Sequence, residues 1–587
     1  MLRPMANIFA VTDADPAVLD RIEGRVRAGD DFERVYRPTE GWIAAYASLP
    51  ESEPDRDDAC SRGFLFLEGR DRLERLGADW LDRLSDLCDL SPTQLDELPG
   101  DFGFIHFRPD GTALAVRACA GRVPLYLHRR EGGGLAIGTL LNYFPRLLPT
   151  RFHPDRLINA AWARTTTTTF IQGRTFVRGV SVLPRATATE VAAGRALRTR
   201  VYWDPRPQVG EKVEPDPAHA RELRSILITN LERDLDPSGR SLLMLSGGVD
   251  SSALGALIAG VLGRPLSSWS MIPAREPGRS GELSYIDPLV QSFGIEPADK
   301  RELTEELHRR WIMHAPGLPF QILHPALCDL PAVCAEREVR SLVSGMFADE
   351  ICGDRQRLTD WVLHTSMKSL ATGVTLPFGG RDYLRWVRRR LQEAARRPRI
   401  PRMELDVWVP DEVVAEHQAW LATHQASLAR DRRPLRELAT RADADAWVAM
   451  YWEGASPLGV RPVLPFFNRE VLELAYRCHP QELLGPGKKR LLVDALRDDV
   501  PARNLLRPDR GLWTGHERGV RWRLDGPLPA AAEAVVRREW LSQPPPDVPF
   551  MDGTRLASAI RVAEYLEVGS ASSKDGVVPL ARGQTSM

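Results

Sequence analysis

The apolar run Ser241-Leu242-Leu243-Met244-Leu245 ends on Ser246-Gly247-Gly248-Val249-Asp250-Ser251-Ser252, and an Ala/Leu-rich stretch follows directly to Gly263. A short apolar run, two glycines and a helix-forming run together read as a strand turning sharply into a helix. The glycines let the backbone turn tightly and come close to a ligand. A helix opened in this way presents unpaired N–H groups and the positive end of its dipole to an anion. The hydroxyls of Ser246, Ser251 and Ser252 add donors. Asp250 inside an anion site requires a cation, most simply Mg²⁺ shared between its carboxylate and phosphate oxygens. The competing reading is a plain Gly/Ser turn at a sheet edge, which leaves the spacing of turn, hydroxyls and carboxylate unexplained. A G-x-x-x-x-G-K-[ST] loop is absent.

The surrounding texture supports an α/β reading. From about residue 218, AHARELRSILITNLERDL has helical period, LSSWSMI is strand-like, ELSYIDPLVQSFG is helical, and RSLVSGMFADE repeats the strand-then-turn pattern. Such alternation predicts a parallel, doubly wound sheet, and residues 355–455 add mostly helix. The region before about 204 differs. DFGFIHFRPDGTALAVRACAGRVPLYLH and ATATEVAAGRALRTRVYW are β-rich runs broken by Pro-Asp-Gly and Ala-Gly turns, which predicts hairpins. The Pro-rich segment DPRPQVGEKVEPDP marks the boundary. The expected organisation is residues 1–204, a linker at 205–217, a nucleotide-binding unit at 218–570 and a disordered Ser/Gly-rich tail at 571–587.

Two further stretches carry chemistry. Ser344-Gly345-Met346-Phe347-Ala348-Asp349-Glu350 again follows a strand, and its acidic pair reads either as a helix cap or as a second metal ligand, Asp349, at the same strand-end crevice. Gly459 to Glu470 leads into a helix, and GKKRLLVDALRDDVPARNLLRPDRG holds Lys488, Lys489, Arg507 and Arg510, groups suited to a triphosphate or to a solvated helix face. Only six of the 78 basic residues are lysine, so the adjacent pair at 488–489 stands out.

Composition excludes more than it assigns. The 587 residues need more than one core. A net charge of −1 gives no global field for nucleic acid or an acidic membrane. No apolar run approaches the roughly 20 residues of a membrane span. Seven scattered cysteines without C-x-x-C spacing suggest neither a disulfide framework nor a zinc site, and point to a reduced cytoplasmic protein.

Residues 246–252 resemble the SGGxDS pyrophosphate loop of the ATP pyrophosphatases, and the three signals in this order resemble the class B asparagine synthetases over nearly the whole chain. The resemblance implies an N-terminal glutaminase-like (Ntn-type) α+β domain, with landmarks Gly100–Phe104, Gly121–Tyr126 and Tyr202–Pro205, and a C-terminal ATP pyrophosphatase domain with helical additions. It implies ATP and Mg²⁺, with Asp250 and Asp349 on the metal. It places Leu245, Ser246, Gly247, Gly248, Ser251, Ser252, Met271, Ser344 and Gly345 around ATP, and aligns Lys489 with a family lysine. The departures carry information. Leu2 stands where glutamine-using members have cysteine, and the first cysteine is Cys60, so the N-terminal domain is expected to be an inactive scaffold. Met346 replaces the Glu of asparagine synthetases and the Tyr of beta-lactam synthetases, and a thioether does no acid–base work. Asp509-Arg510 replace a family lysine, and Arg510 or Arg507 is expected to supply its charge. Tyr451 and Glu453 are the candidate bases.

These departures resemble the lasso peptide macrolactam synthetases. The implied reaction is adenylation of an Asp or Glu side chain in a precursor peptide, followed by attack of the peptide's own N-terminal amine. Tethering both groups on one chain raises their effective concentration. A leader peptidase and a leader-recognition protein are the implied partners, and the basic stretch 381–400 within 355–440 is either a peptide-binding helix or a solvated face. The alternatives are a beta-lactam synthetase-like or asparagine synthetase-like ligase of a small amino acid, and a non-catalytic scaffold.

Overall fold

The computed structural model describes most of residues 7–46, the strand at 64–67, 101–155, 173–203, 216–273, 282–303, 336–352, 442–478 and 489–507, with a few isolated positions and one short strand pair elsewhere. Leu2, Cys60, Lys488, Asp509, Arg510, the segment 381–400, the tail at 571–587 and nearly all of 205–217 and 355–440 lie outside the described residues.

The expected hairpins form two antiparallel layers. One holds β1 (Ile8–Thr12), β2 (Arg34–Tyr36), β3 (Trp42–Tyr46), β7 (Tyr126–Arg129), β8 (Leu135–Gly138) and β9 (Val180–Val182), in the order β2-β3-β1-β8-β7-β9. The other holds β4 (Phe64–Leu67), β5 (Phe102–Phe107), β6 (Ala113–Arg117), β10 (Thr187–Val191) and β11 (Arg198–Val201), in the order β11-β10-β6-β5-β4. The chain crosses from β6 to β7 through Gly121-Arg122-Val123-Pro124-Leu125. Every residue of β5 and β6 is buried, which explains why they read as continuous apolar runs and not as alternating ones. Helix α1 (Pro16–Ala28) buries Leu19, Ile22 and Val26, a spacing of three and four residues that forms one helical face. A short helix, α2 (Tyr143–Leu147), follows β8.

The second half is the parallel α/β unit that the alternation predicts. After α3 (Ala218–Asp234), strands β12 (Ser241–Met244), β13 (Ser267–Pro273), β14 (Glu296–Leu303), β15 (Ser341–Val343) and β16 (Arg461–Val463) form one sheet in the order β14-β13-β12-β15-β16, all parallel. Helix α4 (Val249–Gly255) continues as one π-type stretch over Ala256–Val261, and α5 (Leu283–Phe293) ends on Gly294 in the left-handed conformation. Further helices are α6 (Ala348–Ile351), α7 (Ala442–Ala455), α8 (Arg469–Arg477), α9 (Arg490–Ala495) and α10 (Ala502–Leu505). Strand β14, sequence EPADKREL, has no apolar pattern. It lies at the sheet edge, where a strand needs no continuous apolar face. Among the described residues no helix is long and apolar enough to cross a membrane.

The two halves meet across buried charge. Asp101 accepts hydrogen bonds from the backbone N–H of Gly121 (2.8 Å) and of Arg122, and the Arg122 guanidinium lies 3.1 Å from Asp234 at the end of α3. Burial works against ionised Asp234, but Arg122 and Arg233 outweigh it and hold the carboxyl far below its ordinary range. Arg117 and Arg185 converge on Asp445 of α7 at 2.8 and 3.2 Å. The stretches Gly100–Phe104 and Gly121–Tyr126 thus supply the carboxylate and the arginine that join the first half to the second.

Removing one partner of such a cluster leaves charge buried without compensation. Asp445→Ala is expected to lower unfolding stability by about 3–5 kcal/mol, read by denaturant titration. A loss below about 1 kcal/mol would mean that Asp445 does not hold the two arginines.

Candidate active site

The sheet order changes direction beside β12. The chain runs outward from β12 to β13 and β14, then returns to add β15 and β16 on the other side. The crevice outside the carboxyl ends of β12 and β15 is therefore the switch point where open α/β sheets bind ligands. Residues 246–250 leave β12 there, and residues 344–347 leave β15 beside them.

Contact between the two loops is close. A Cβ placed on Gly345 would lie 2.8 Å from Asp250 Cβ and 3.3 Å from Ser251 N, so only glycine lets the loops touch. Gly247 has φ +69°, and a Cβ there would sit 2.8 Å from Tyr285 Cβ. The structure turns part of the predicted donor set inward. Ser251 Oγ accepts from Ser246 N at 3.1 Å and lies 3.1 Å from Ser246 Oγ, while Ser252 Oγ accepts from Asn504 at 3.1 Å. Ser251 and Ser252 are buried and hold the loop's shape, whereas Ser246 is exposed at its mouth. Leu245 directly follows β12 and Met271 lies in the adjacent β13, both buried, with Leu245 N–H donating to Trp269 O at 2.8 Å.

Lys489 brings the acidic residues together. Its ammonium donates to Asp250 Oδ2 and lies 3.0 Å from Asp349 Oδ1. Burial works against the charged amine, but the two carboxylates outweigh it and hold Lys489 above its ordinary value. Two carboxylates against one ammonium leave one net negative charge. Asp250 Oδ1 is enclosed with no hydrogen-bond partner among the described residues, while the Asp349 side chain is 74% exposed. An enclosed, unsatisfied carboxylate oxygen beside a second, open carboxylate fits a hard divalent cation such as Mg²⁺. Phe347 (φ 71°) and Lys489 (φ 59°) both adopt the left-handed conformation, at a cost of about 1–2 kcal/mol each. Both strained residues sit at this crevice, one at the start of α6 and one at the start of α9.

The other candidates lie in three places. Ser344 Oγ is 2.8 Å from the Tyr451 hydroxyl, which burial pushes up to about 12. Arg507 is buried in a bidentate pair with Glu282 (2.8 and 2.9 Å), stacks on Tyr285 with 4.4 Å to the ring centre, and donates to Ser246 O at 3.2 Å. It buttresses the loop from behind and does not open onto the crevice as a free cation. Glu453 is not brought to the crevice. It points into the seam between the halves, where its Oε1 accepts from Leu141 N at 2.5 Å, because two residues along a helix from Tyr451 is nearly the opposite face.

Two residues of the site carry no signal in the sequence. Asn504 donates to Gly247 O (3.3 Å), Ser252 Oγ (3.1 Å) and Tyr285 O (3.1 Å), tying α10 to the loop and to α5. Glu282 fixes Arg507. Both act through contacts with residues more than two hundred positions away, which no local spacing records.

Residues 222–567 match the asparagine synthase family. No curated protein matches the chain. Among solved structures, a U34-tRNA thiolase from Methanococcus maripaludis, determined with its [4Fe-4S] cluster, is 14% identical with a TM-score of 0.22, over 39% of this chain and 80% of that one. A glutamine phosphoribosylpyrophosphate amidotransferase from B. subtilis, complexed with ADP and GMP, is 8% identical with a TM-score of 0.21, over 61% and 77%. Overlap at that level carries no structural argument.

Two outcomes test the geometry. Gly345→Ala is expected to cost about 1–3 kcal/mol of unfolding stability, because Asp250 Cβ and the following backbone cannot move aside without parting the loops. Burial raises the Glu453 carboxyl to about 8, well above the ordinary 4.5. The folded chain thus holds this proton more tightly than the unfolded chain. The stabilisation is complete below the unfolded value and is lost as pH rises through the folded one. Melting temperatures from pH 5 to 9 should fall more steeply for the wild type than for Glu453→Gln, and parallel curves would contradict the assignment.

Proposed function

The chain belongs to the asparagine synthase family, whose members use ATP, and from that premise we propose that it is an AMP-forming amide ligase whose substrate is a peptide closing on itself. One observation carries the ligase reading: Lys489 spans Asp250 and Asp349 at the carboxyl ends of β12 and β15.

In this reading the triphosphate of ATP lies along residues 246–250, against the amides that open α4. Asp250 and Asp349 would hold Mg²⁺, and the bound ion would supply electrostatic stabilisation to the pyrophosphate leaving group. A substrate carboxylate oxygen attacks the α-phosphorus, the bond to the β-phosphate oxygen breaks, and pyrophosphate leaves. An amine then attacks the acyl carbon of the mixed anhydride, the ammonium proton is lost, and AMP departs with the electrons of the acyl–oxygen bond. Lys489 follows the phosphates as charge accumulates and stabilises it electrostatically. Tyr451 is a poor base, since burial holds its hydroxyl protonated and Ser344 engages it. An α-amine with an ordinary value of about 8 needs little help at neutral pH.

Met346 supports the peptide reading. Its side chain packs partly buried against the core at the crevice, its N–H donates to Ser344 Oγ at 3.3 Å, and its thioether offers no acid–base group to a small amino acid. The substrate proposed is a precursor peptide whose Asp or Glu side chain is adenylated and captured by its own N-terminus, giving an isopeptide macrolactam of the lasso type. A leader peptidase and a leader-recognition protein would deliver it. Residues 1–204 serve as a non-catalytic, glutaminase-like scaffold joined to the ligase unit through Arg122 and Asp234.

The test is pyrophosphate release by the purified chain with ATP, Mg²⁺ and candidate peptides, with product mass measured alongside. Release should accompany loss of one water from the peptide. It should fall by on the order of 10²–10³-fold in Asp250→Ala and in Lys489→Ala. Release driven by a free amino acid would move the assignment to a small-substrate ligase. No release with any carboxylate would leave only a scaffold.

A further inference from the structure

A second cluster of ligating side chains lies away from the crevice. His219 stands in the first turn of α3, Cys478 follows the last residue of α8, and Glu482 lies four residues further along the chain. A ring nitrogen of His219, the sulfur of Cys478 and a carboxylate oxygen of Glu482 all fall within 4.8 Å of one another. His219 Nδ1 is 2.7 Å from Glu482 Oε2. All three side chains are largely enclosed: His219 is 12% exposed, Glu482 10%, and Cys478 is buried.

We infer that His219, Cys478 and Glu482 form a zinc site. One thiolate, one imidazole and one carboxylate are a borderline-soft donor set that suits Zn²⁺ and does not suit Mg²⁺ or Ca²⁺, which take oxygen ligands. Tetrahedral zinc bonds of about 2.0–2.3 Å put ligand atoms about 3–4 Å apart, so an ion would open the 2.7 Å His219–Glu482 contact slightly and draw in any ligand atom lying toward the 4.8 Å limit. The metal displaces the thiol proton, which leaves to solvent, and its two positive charges balance thiolate and carboxylate. Water completes the fourth position, since His219 and Glu482 reach the surface. Arg477, the nearest cation along the chain, is engaged by Glu222 and does not compete for the carboxylate.

The location gives the metal a structural task. Helices α3 and α8 are separated in sequence by more than two hundred residues, and Glu482 begins the segment that arrives at Lys489. A metal there would tie the start of α3 to the end of α8 and to Glu482. This inference does not depend on the ligase reading.

The test uses the full-length protein. Zinc content is measured by mass spectrometry after growth with zinc and dialysis, and the cobalt-substituted protein is examined by absorption. About one zinc per chain is expected, together with a sulfur-to-cobalt charge-transfer band and the intense visible bands of tetrahedral cobalt. Cys478→Ser should lose the charge-transfer band, and His219→Ala or Glu482→Gln should weaken zinc binding more than about tenfold, with far-ultraviolet circular dichroism retained. Wild-type protein that holds no stoichiometric zinc, or cobalt protein without the sulfur band, overturns the site whether or not the variants fold. Undiminished zinc in folded variants does the same.

Discussion

The contact between Gly345 and Asp250 is the constraint on which the crevice depends. With no side chain at 345, the loop after β15 lies against the loop after β12, and the carboxylates of Asp250 and Asp349 come within reach of one ammonium. The parallel pairing of β12 with β15 sets the two loops side by side at the same end of the sheet. Charge then does what packing allows. Two acids and one base leave an unbalanced negative charge in a partly enclosed place, and the Asp250 oxygen, without a partner among the described residues, is the point at which a hard cation would complete the balance.

Support for that arrangement comes from behind. Arg507 and Asn504 reach backbone carbonyls of the 246–248 turn, and Glu282, which precedes α5, and Tyr285 within it hold Arg507 in turn. Arg507 and Glu282 are buried and pair bidentately, and the buried Asn504 amide nitrogen is engaged by the loop and α5. The loop therefore keeps its shape without a ligand, which lowers the ordering that binding a triphosphate would require.

Buried ion pairs also decide how the antiparallel layers meet the parallel sheet. Arg122 with Asp101 and Asp234, and Arg117 and Arg185 with Asp445, place charge where apolar contact alone would allow the halves to slide. Such pairs add little net stability compared with apolar packing, but a misregistered seam would strand each charge unpaired, so they penalise every other docking. Glu453 belongs to this seam, although its helix also carries Tyr451 to the crevice.

Much of this was legible in the chain of residues. Glycines after short apolar runs located both crevice loops, helical period located α3, α4 and α5, and the Pro-Asp-Gly and Ala-Gly turns located the hairpins. The match of residues 222–567 to the asparagine synthase family agrees with the Ser246–Ser252 loop. Strand β14 escaped notice because an edge strand needs no apolar face, and its backbone pairing leaves no trace in composition. The inward turn of Ser251 and Ser252, the retreat of Arg507 behind the loop and the turning of Glu453 into the seam are invisible to spacing for a different reason. Ser252, Arg507 and Glu453 depend on partners hundreds of residues distant, and Ser251 on the fold of its own turn. Local periodicity and turn chemistry act over a few residues, so the sequence by itself determined the elements, the anion-binding turn and the acids available to it. Which side chains face the crevice, which brace it and which charge is left over were decided only when β12, β15 and α9 came together, because burial and pairing are properties of the packed chain.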